Sequence, residues 1–218
     1  MNLSHLRLCL VTQFNDQRLG HYLRFLALAI EGGVTSVQLR DKSRSLANLR
    51  RLALAIQSFL TPLQIPLIIN DHVQLAKEIN ADGVHIGQTD LSPHETRTIL
   101  GPNKIIGYSV ETLKDLKKAN ELSCIDYVAA SAVFASPSKP DCKTIWGLDG
   151  LKRVSKLSKH PVVAIGGITH HNTAEVIRHG AYGIAVISAI HGSPDPLMAA
   201  KELSEKIKEG KKDVPDHH

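Results

Sequence analysis

Short apolar runs rich in β-branched residues alternate with longer segments of helical period about eight times along these 218 residues. Continuous apolar runs of four to six residues read as buried strands, and the longer segments place apolar residues at a 3.6-residue spacing. Residues 6–11 form the first predicted strand and 19–31 the first helix, stopped by Gly32-Gly33. Predicted strand 34–39 is followed by helix 46–60, and strand 66–69 by helix 72–80. Strand 83–86 leads to a helix opened by Ser92-Pro93-His94-Glu95, which offers an N-cap serine, an N1 proline and an acidic third residue. Then come strand 104–108, helix 111–122 and strand 126–130. Beyond an irregular stretch, 134–147, lie helix 148–157, strand 161–165, helix 171–179, strand 184–187 and helix 195–208.

Eight β-α pairs are the number needed to close a barrel. The expected fold is therefore a single α/β domain, a (β/α)8 TIM-type barrel of parallel strands inside an outer ring of helices. It spans residues 1–208, with 209–218, including His217-His218, as a disordered tail. An open doubly wound sheet is the competing architecture. Its dinucleotide fingerprint needs glycines in the first strand-to-helix turn, and Thr12-Gln13-Phe14-Asn15-Asp16 has none. The composition suits a barrel, since only 4% of residues are aromatic against 43% hydrophobic. Such a core must be built from Leu, Ile, Val and Ala, as in a parallel sheet buried on both faces.

The formal charge of +5 can serve a nucleic-acid surface or acidic, phosphorylated substrates. The cations are scattered, apart from Lys206, Lys208, Lys211 and Lys212, which read as a solvated helix end and tail. Phosphorylated small molecules are the expected partners, and nucleic acid is not. Cys9 and Cys124 sit in apolar runs, Cys142 in a polar loop, and the three lack metal-ligand spacing. With no signal peptide and no apolar stretch of spanning length, a reducing cytoplasm is expected, with no membrane partner. Homo-oligomerisation is left open.

In a barrel of this type the chemistry sits at the C-terminal ends of the strands. Gln38 and Arg40 alternate onto one face there, with Lys42 two residues on. Arg40 offers a planar fork for phosphate and Lys42 a mobile charge. Asn70 can read a heteroaromatic ring, and Asp71 and Asp90, each after an apolar strand, are candidate ligands for a shared Mg²⁺. His85 reads as a packed, hydrogen-bonded core histidine in preference to a general base. Ser109 ends the fifth predicted strand, and Ser136, Ser138 and Lys139 lie on a long loop able to close over substrate. Gly166-Gly167 and Ile187-Ser188 follow the last two strands, where a phosphate cradle recurs in this fold. Each cluster taken singly has a plainer account: surface cations, a helix-capping Asp71, a polar loop.

Together, Val37-Gln38-Leu39-Arg40-Asp41-Lys42, Ile69-Asn70-Asp71, Ala81-Asp82-Gly83-Val84-His85-Ile86-Gly87-Gln88 leading to Asp90, Gly107-Tyr108-Ser109, Ser136-Pro137-Ser138-Lys139 and Ala164-Ile165-Gly166-Gly167-Ile168 resemble the thiamine-phosphate synthase family. The resemblance runs from about Leu10 to Ile190. It implies coupling of hydroxymethylpyrimidine diphosphate to thiazole phosphate, or its carboxylated form, by a dissociative path assisted by Mg²⁺. It further implies that Gln38, Arg40, Lys42, Asn70, Ser109 and Lys139 hold the pyrimidine diphosphate. Arg40, Lys42 and Lys139 would act on the leaving group, Asp71 and Asp90 on the metal. Ser136, Ser138, Gly167, Ile187 and Ser188 would hold the thiazole phosphate. Ser136 and Ser138 stand where the family usually has threonine, and Ser131-Ala132 where it tends to have Gly-Pro. A thiazole tautomerase of related fold and a non-catalytic binder of thiamine precursors are the competing readings. The tautomerase has no diphosphate to bind, so it does not account for Arg40, Lys42, Asp71, Asp90 and Lys139.

Overall fold

Parallel strands pair through evenly spaced, slanted hydrogen bonds and need a crossover between successive members, which a helix supplies. The structure, a computed structural model, describes residues 3–14, 18–136 and 142–212. It meets that need seven times, and the eighth pairing closes the sheet. Strands β1 (Leu8–Val11), β2 (Ser36–Leu39), β3 (Leu67–Asn70), β4 (Gly83–Ile86), β5 (Ile105–Val110), β6 (Tyr127–Ser131), β7 (Val162–Ile165) and β8 (Gly183–Val186) pair in sequence order. All eight pairings are parallel, and β8 returns to β1 through Ala185 opposite Cys9. The sheet is a closed barrel.

Around it run α1 (Leu19–Glu31), α2 (Leu46–Leu60), α3 (Val73–Glu78), α4 (Pro93–Leu100), α5 (Leu113–Ala119), α6 (Gly147–Leu157), α7 (Thr173–Arg178), α8 (Ser188–His191) and α9 (Pro196–Lys212). The expected capping box opens α4: the Ser92 hydroxyl accepts from Glu95 N, and the Glu95 side chain accepts from Ser92 N. Among the described residues, no helix is long and apolar enough to cross a membrane.

Alternation along each strand divides the buried residues into two cores. Outward-facing Leu8, Leu10, Val37, Leu39, Leu67 and Ile69 pack against the helices in one large cluster. Inward-facing Cys9 and Val11 join Leu6, Tyr127, Val163 and Ala185 in a much smaller one. The inner apolar core is thin because several inward positions carry polar side chains, among them Ser36, Gln38, Asn70 and His85. The barrel is not filled to its mouth.

Several boundaries differ from those the sequence suggests. β5 runs to Val110, so Ser109 is inside the strand: Ser109 and Val110 still pair with Ala129 and Ala130 of β6. Thr112 then caps α5, its hydroxyl accepting from Asp115 N, which moves the helix start from 111 to Leu113. Four-residue α8 is an element that periodicity does not reveal, since one turn is too short to show a period. α9 continues four residues past 208, because its Gly210 is buried against Ala174 and Ile177 of α7. That corrects the expectation of a disordered tail from 209. Residues 213–218 lie outside those described.

Candidate active site

A cavity of about 330 Å³ runs from Arg40 and Lys42 at the C-terminal end of the barrel, past Ser36 and Tyr127, to His5 and Leu6. Every described residue singled out from the sequence lines it: Gln38, Arg40, Lys42, Asn70, Asp71, Asp90, Ser109, Ser136, Gly167, Ile187 and Ser188. Ser138 and Lys139 lie outside the described residues.

The β2–β4 side of the mouth is built from charged side chains. Thr12, buried after β1, braces Arg40: its hydroxyl accepts from Arg40 N at 3.0 Å and donates to Arg40 O at 3.3 Å. Asp41 closes the next turn by accepting from Ser43 N, the Ser43 hydroxyl and Arg44 N, and it pairs with the Arg44 guanidinium at 2.7 Å. That turn presents Lys42, whose Nζ lies 3.7 Å from Asp71 Oδ2. Asp71 adopts φ +64°, a left-handed conformation that Asp and Asn tolerate better than most residues. Asp90 is steadied by Gly87 N, which donates to its Oδ2 at 2.6 Å.

The Asp71 carboxyl is held above the usual carboxylate range. Burial is the largest cause, followed by the charge of Asp90 and a hydrogen bond between the two carboxyl groups. Lys42 and Arg40 pull the other way without prevailing. Two carboxylates forced together in this manner are a fit for a hard divalent cation, which relieves their repulsion. Among the described residues, no group of three or more His, Cys, Asp and Glu side chains could hold a metal. A cation at Asp71 and Asp90 would therefore take further oxygens from a ligand, as Mg²⁺ does when it bridges one or two carboxylates to substrate phosphates.

Below the charges, Gln38 Nε2 donates to Asn70 Oδ1 at 2.7 Å. This bond between neighbouring strands leaves Gln38 Oε1 as an acceptor and Asn70 Nδ2 as a donor on the cavity wall. His85 is buried as expected, with both ring nitrogens hydrogen-bonded, to Tyr127 and Ser109, but it faces the cavity.

The β7–β8 side offers main chain instead. Gly166 and Gly167 follow β7 at φ +101° and +62°. At Gly167 a Cβ would stand 2.7 Å from both Ala135 O and Phe134 Cβ, so a larger residue is barred by space as well as by φ. The turn is pinned from both flanks: Phe134 N donates to Gly166 O, and the Asn172 side chain donates to Gly167 O at 3.0 Å. Ser188 begins α8 opposite this turn, and both line the same cavity.

Comparison with known proteins settles the family. A family model for thiamine monophosphate synthase matches residues 8–190. The chain belongs to the thiamine monophosphate synthase family. It is 43% identical to a thiamine-phosphate synthase of Chlamydia caviae over 204 residues, 94% of this chain and 96% of the relative. To the thiamine-phosphate synthase of Vibrio campbellii it is 42% identical, over 90% of this chain and 96% of the relative. A solved thiamine phosphate pyrophosphorylase from Pyrococcus furiosus superposes with a TM-score of 0.85 at 32% identity, covering 96% of this chain and 99% of that one. The barrel of 3-hexulose-6-phosphate synthase superposes at 0.69 with 18% identity, a likeness of fold alone. This family member is an enzyme of the transferase class.

Among the cavity-lining residues that escaped the sequence reading are Glu111, Tyr127 and Lys143. Glu111 had a signal, because alternation from Ser109 puts it on the same face. Tyr127 looked like any strand aromatic. Lys143 reaches the mouth because its segment folds back on β6: Ala132 N donates to Thr144 O, and Trp146 N donates to Ala132 O. No periodicity encodes that return.

Proposed function

We propose that the enzyme joins 4-amino-2-methyl-5-hydroxymethylpyrimidine diphosphate to thiazole phosphate, or its carboxylated form, giving thiamine phosphate and diphosphate. The observation that carries the reading is the crowded Asp71–Asp90 pair with Lys42 and Arg40 beside it. A synthase must gather the charge of a departing diphosphate, and this corner provides both signs. The unused Gln38 acceptor and Asn70 donor complement the amino group and a ring nitrogen of an aminopyrimidine.

The reaction follows a dissociative path. The aminopyrimidine donates electrons to its exocyclic methylene as the carbon–oxygen bond breaks, and the thiazole nitrogen captures the resulting cation. No side-chain nucleophile is required. Arg40 and Lys42 neutralise the leaving diphosphate, and Lys139 is assigned the same role through the family resemblance. Asp71 and Asp90 would hold Mg²⁺, which when bound would supply further charge neutralisation for the leaving diphosphate. Gly167, Ile187 and Ser188 present main-chain N–H groups and a hydroxyl to the thiazole phosphate, with Ser136 as a further hydroxyl donor and Ser138 assigned the same role through the family resemblance. Gln38 and Asn70 hold the ring in line, and the cavity walls keep water from the cation. We place the enzyme in the reducing cytoplasm, in keeping with the three free cysteines.

One assay tests this. Purified protein receives both phosphorylated substrates with Mg²⁺ or with a chelator, and thiamine phosphate and diphosphate are quantified. The expected result is equimolar formation of both, abolished by chelation. Tight binding without product indicates a sensor, and turnover of the thiazole isomer alone indicates a tautomerase.

A further inference from the structure

Beneath the mouth, three polar side chains from adjacent strands form a chain; the family resemblance gives Ser109 a place on the pyrimidine diphosphate but gives Tyr127 and His85 none. Tyr127 Oη on β6 lies 3.0 Å from His85 Nδ1 on β4, and His85 Nε2 lies 2.8 Å from Ser109 Oγ on β5. All three line the cavity. Gly107, between them on β5, permits the approach. A Cβ there would stand 2.2 Å from Tyr127 Cζ and 2.5 Å from His85 Nδ1.

The hydrogens in this chain have one direction. The Tyr127 hydroxyl has His85 as its hydrogen-bond partner among the described residues. Burial holds its pKa well above the ordinary tyrosine value, so it keeps its proton. A buried O–H without an acceptor loses its hydration with nothing in return, so Tyr127 donates to His85 Nδ1. An imidazolium would donate from both nitrogens and leave that O–H with no acceptor. A neutral ring accepting at Nδ1 carries its hydrogen on Nε2, which then donates to Ser109 Oγ. A serine hydroxyl alone can rotate to donate or accept. Here its oxygen is already accepting, and its one hydrogen is left to the cavity.

We propose that Tyr127 and His85 are positioning residues that fix Ser109 as a one-way hydrogen-bond donor to an oxygen of the departing diphosphate. This rests on the functional reading given above. The diphosphate is the recipient for two reasons. Ser109 is tied to the turn that carries Asp90, because Gln88 Nε2 donates to Ser109 O at 2.5 Å. The chemistry agrees: a donor on a ring nitrogen would draw electrons from a ring that must sustain a cation. A donor on the leaving group instead strengthens as charge collects there. No proton is transferred along the chain; it sets orientation only.

The test uses the full-length enzyme with Mg²⁺. Tyr127→Phe removes the first hydroxyl and keeps the ring. It lowers kcat about tenfold, the order expected for one hydrogen bond to a charged group. It raises the inhibition constant of inorganic diphosphate by a similar factor and leaves the KM for thiazole phosphate unchanged. Ser109→Ala does the same, and the double variant is no worse than Ser109→Ala alone. His85→Gln provides a second entry to the chain should Tyr127→Phe fold poorly, with the same rise in the diphosphate constant expected. Nitrogen-15 NMR finds the His85 hydrogen on Nε2. Losses that multiply in the double variant overturn the proposal, as does a hydrogen on Nδ1. An unchanged diphosphate constant with weaker binding of the unphosphorylated hydroxymethylpyrimidine overturns it too, since Ser109 then reads the ring. A wild-type protein that makes no thiamine phosphate defeats the functional reading and this inference together. Wild-type coupling with multiplicative losses defeats the inference alone.

Discussion

In the proposed reaction the two sides of the barrel mouth would hold phosphate oxygens by opposite means. On the β2–β4 side the groups are long or charged side chains, and Lys42 is still 67% exposed. On the β7–β8 side they are main chain, fixed by two left-handed glycines and a one-turn helix. Under the proposed function the contrast would follow from what each ligand does. A diphosphate that leaves with growing charge needs groups whose charge can follow it. A monophosphate that only anchors its substrate is served by preorganised N–H groups that cost little to align.

Three changes probe this contrast, in falling order of effect. Asp71→Asn keeps a residue that tolerates φ +64° but removes the charge proposed to hold a cation. Turnover in Mg²⁺ is expected to fall about 10²–10³-fold, the scale of losing one preorganised electrostatic contact at the reacting bond. The thermal midpoint should stay near that of the parent. Wild-type activity in this variant would erase the charged side of the comparison. Gly167→Ala acts on the other side, where a Cβ meets Phe134 and Ala135 at 2.7 Å. The KM for thiazole phosphate should rise about tenfold or more, for the loss of roughly 1.5–3 kcal/mol of charge-assisted hydrogen bonding. The KM for the pyrimidine diphosphate should not change. If both constants rise equally, the two subsites are not separate.

The smallest effect is on stability and falls on the main-chain side. His191 of α8 stacks on Phe25 with ring centroids 4.6 Å apart and accepts from Gln13 N at its Nε2. Burial depresses its pKa from 6.5 to about 4, opposed in part by a hydrogen bond to the main chain of Val11. The unfolded chain therefore binds a proton at His191 below pH 6.5 that the folded chain refuses until about pH 4. The contribution is present in full above pH 6.5 and is lost as the pH falls toward 4. Urea titrations across that window should show a shallower decline for His191→Gln than for the parent. Parallel declines would remove His191 from the account of how α8 is held.

Much of the fold was legible in the chain because parallel strands buried on both faces leave an unmistakable mark, a wholly apolar run such as Pro66-Leu67-Ile68-Ile69 followed by a helical period. The barrel end of each strand was legible for the same reason, so Arg40, Asn70, Asp71 and Asp90 could be named in advance. Short elements were not. α8 is a single turn, and β5 runs two residues further than its sequence suggests because its neighbour β6 keeps pairing with it.

The sequence by itself determined which residues face inward, since alternation along a strand is a local property of the backbone. It also determined the family, through a run of matching segments between residues 8 and 190. Only the tertiary structure decided which inward residues meet. That Asp71 crowds Asp90, that Gln38 spends one bond on Asn70, and that Tyr127 reaches Ser109 through His85 are consequences of barrel closure. Closure sets the stagger between strands, and stagger is a relation among distant segments that no local pattern records.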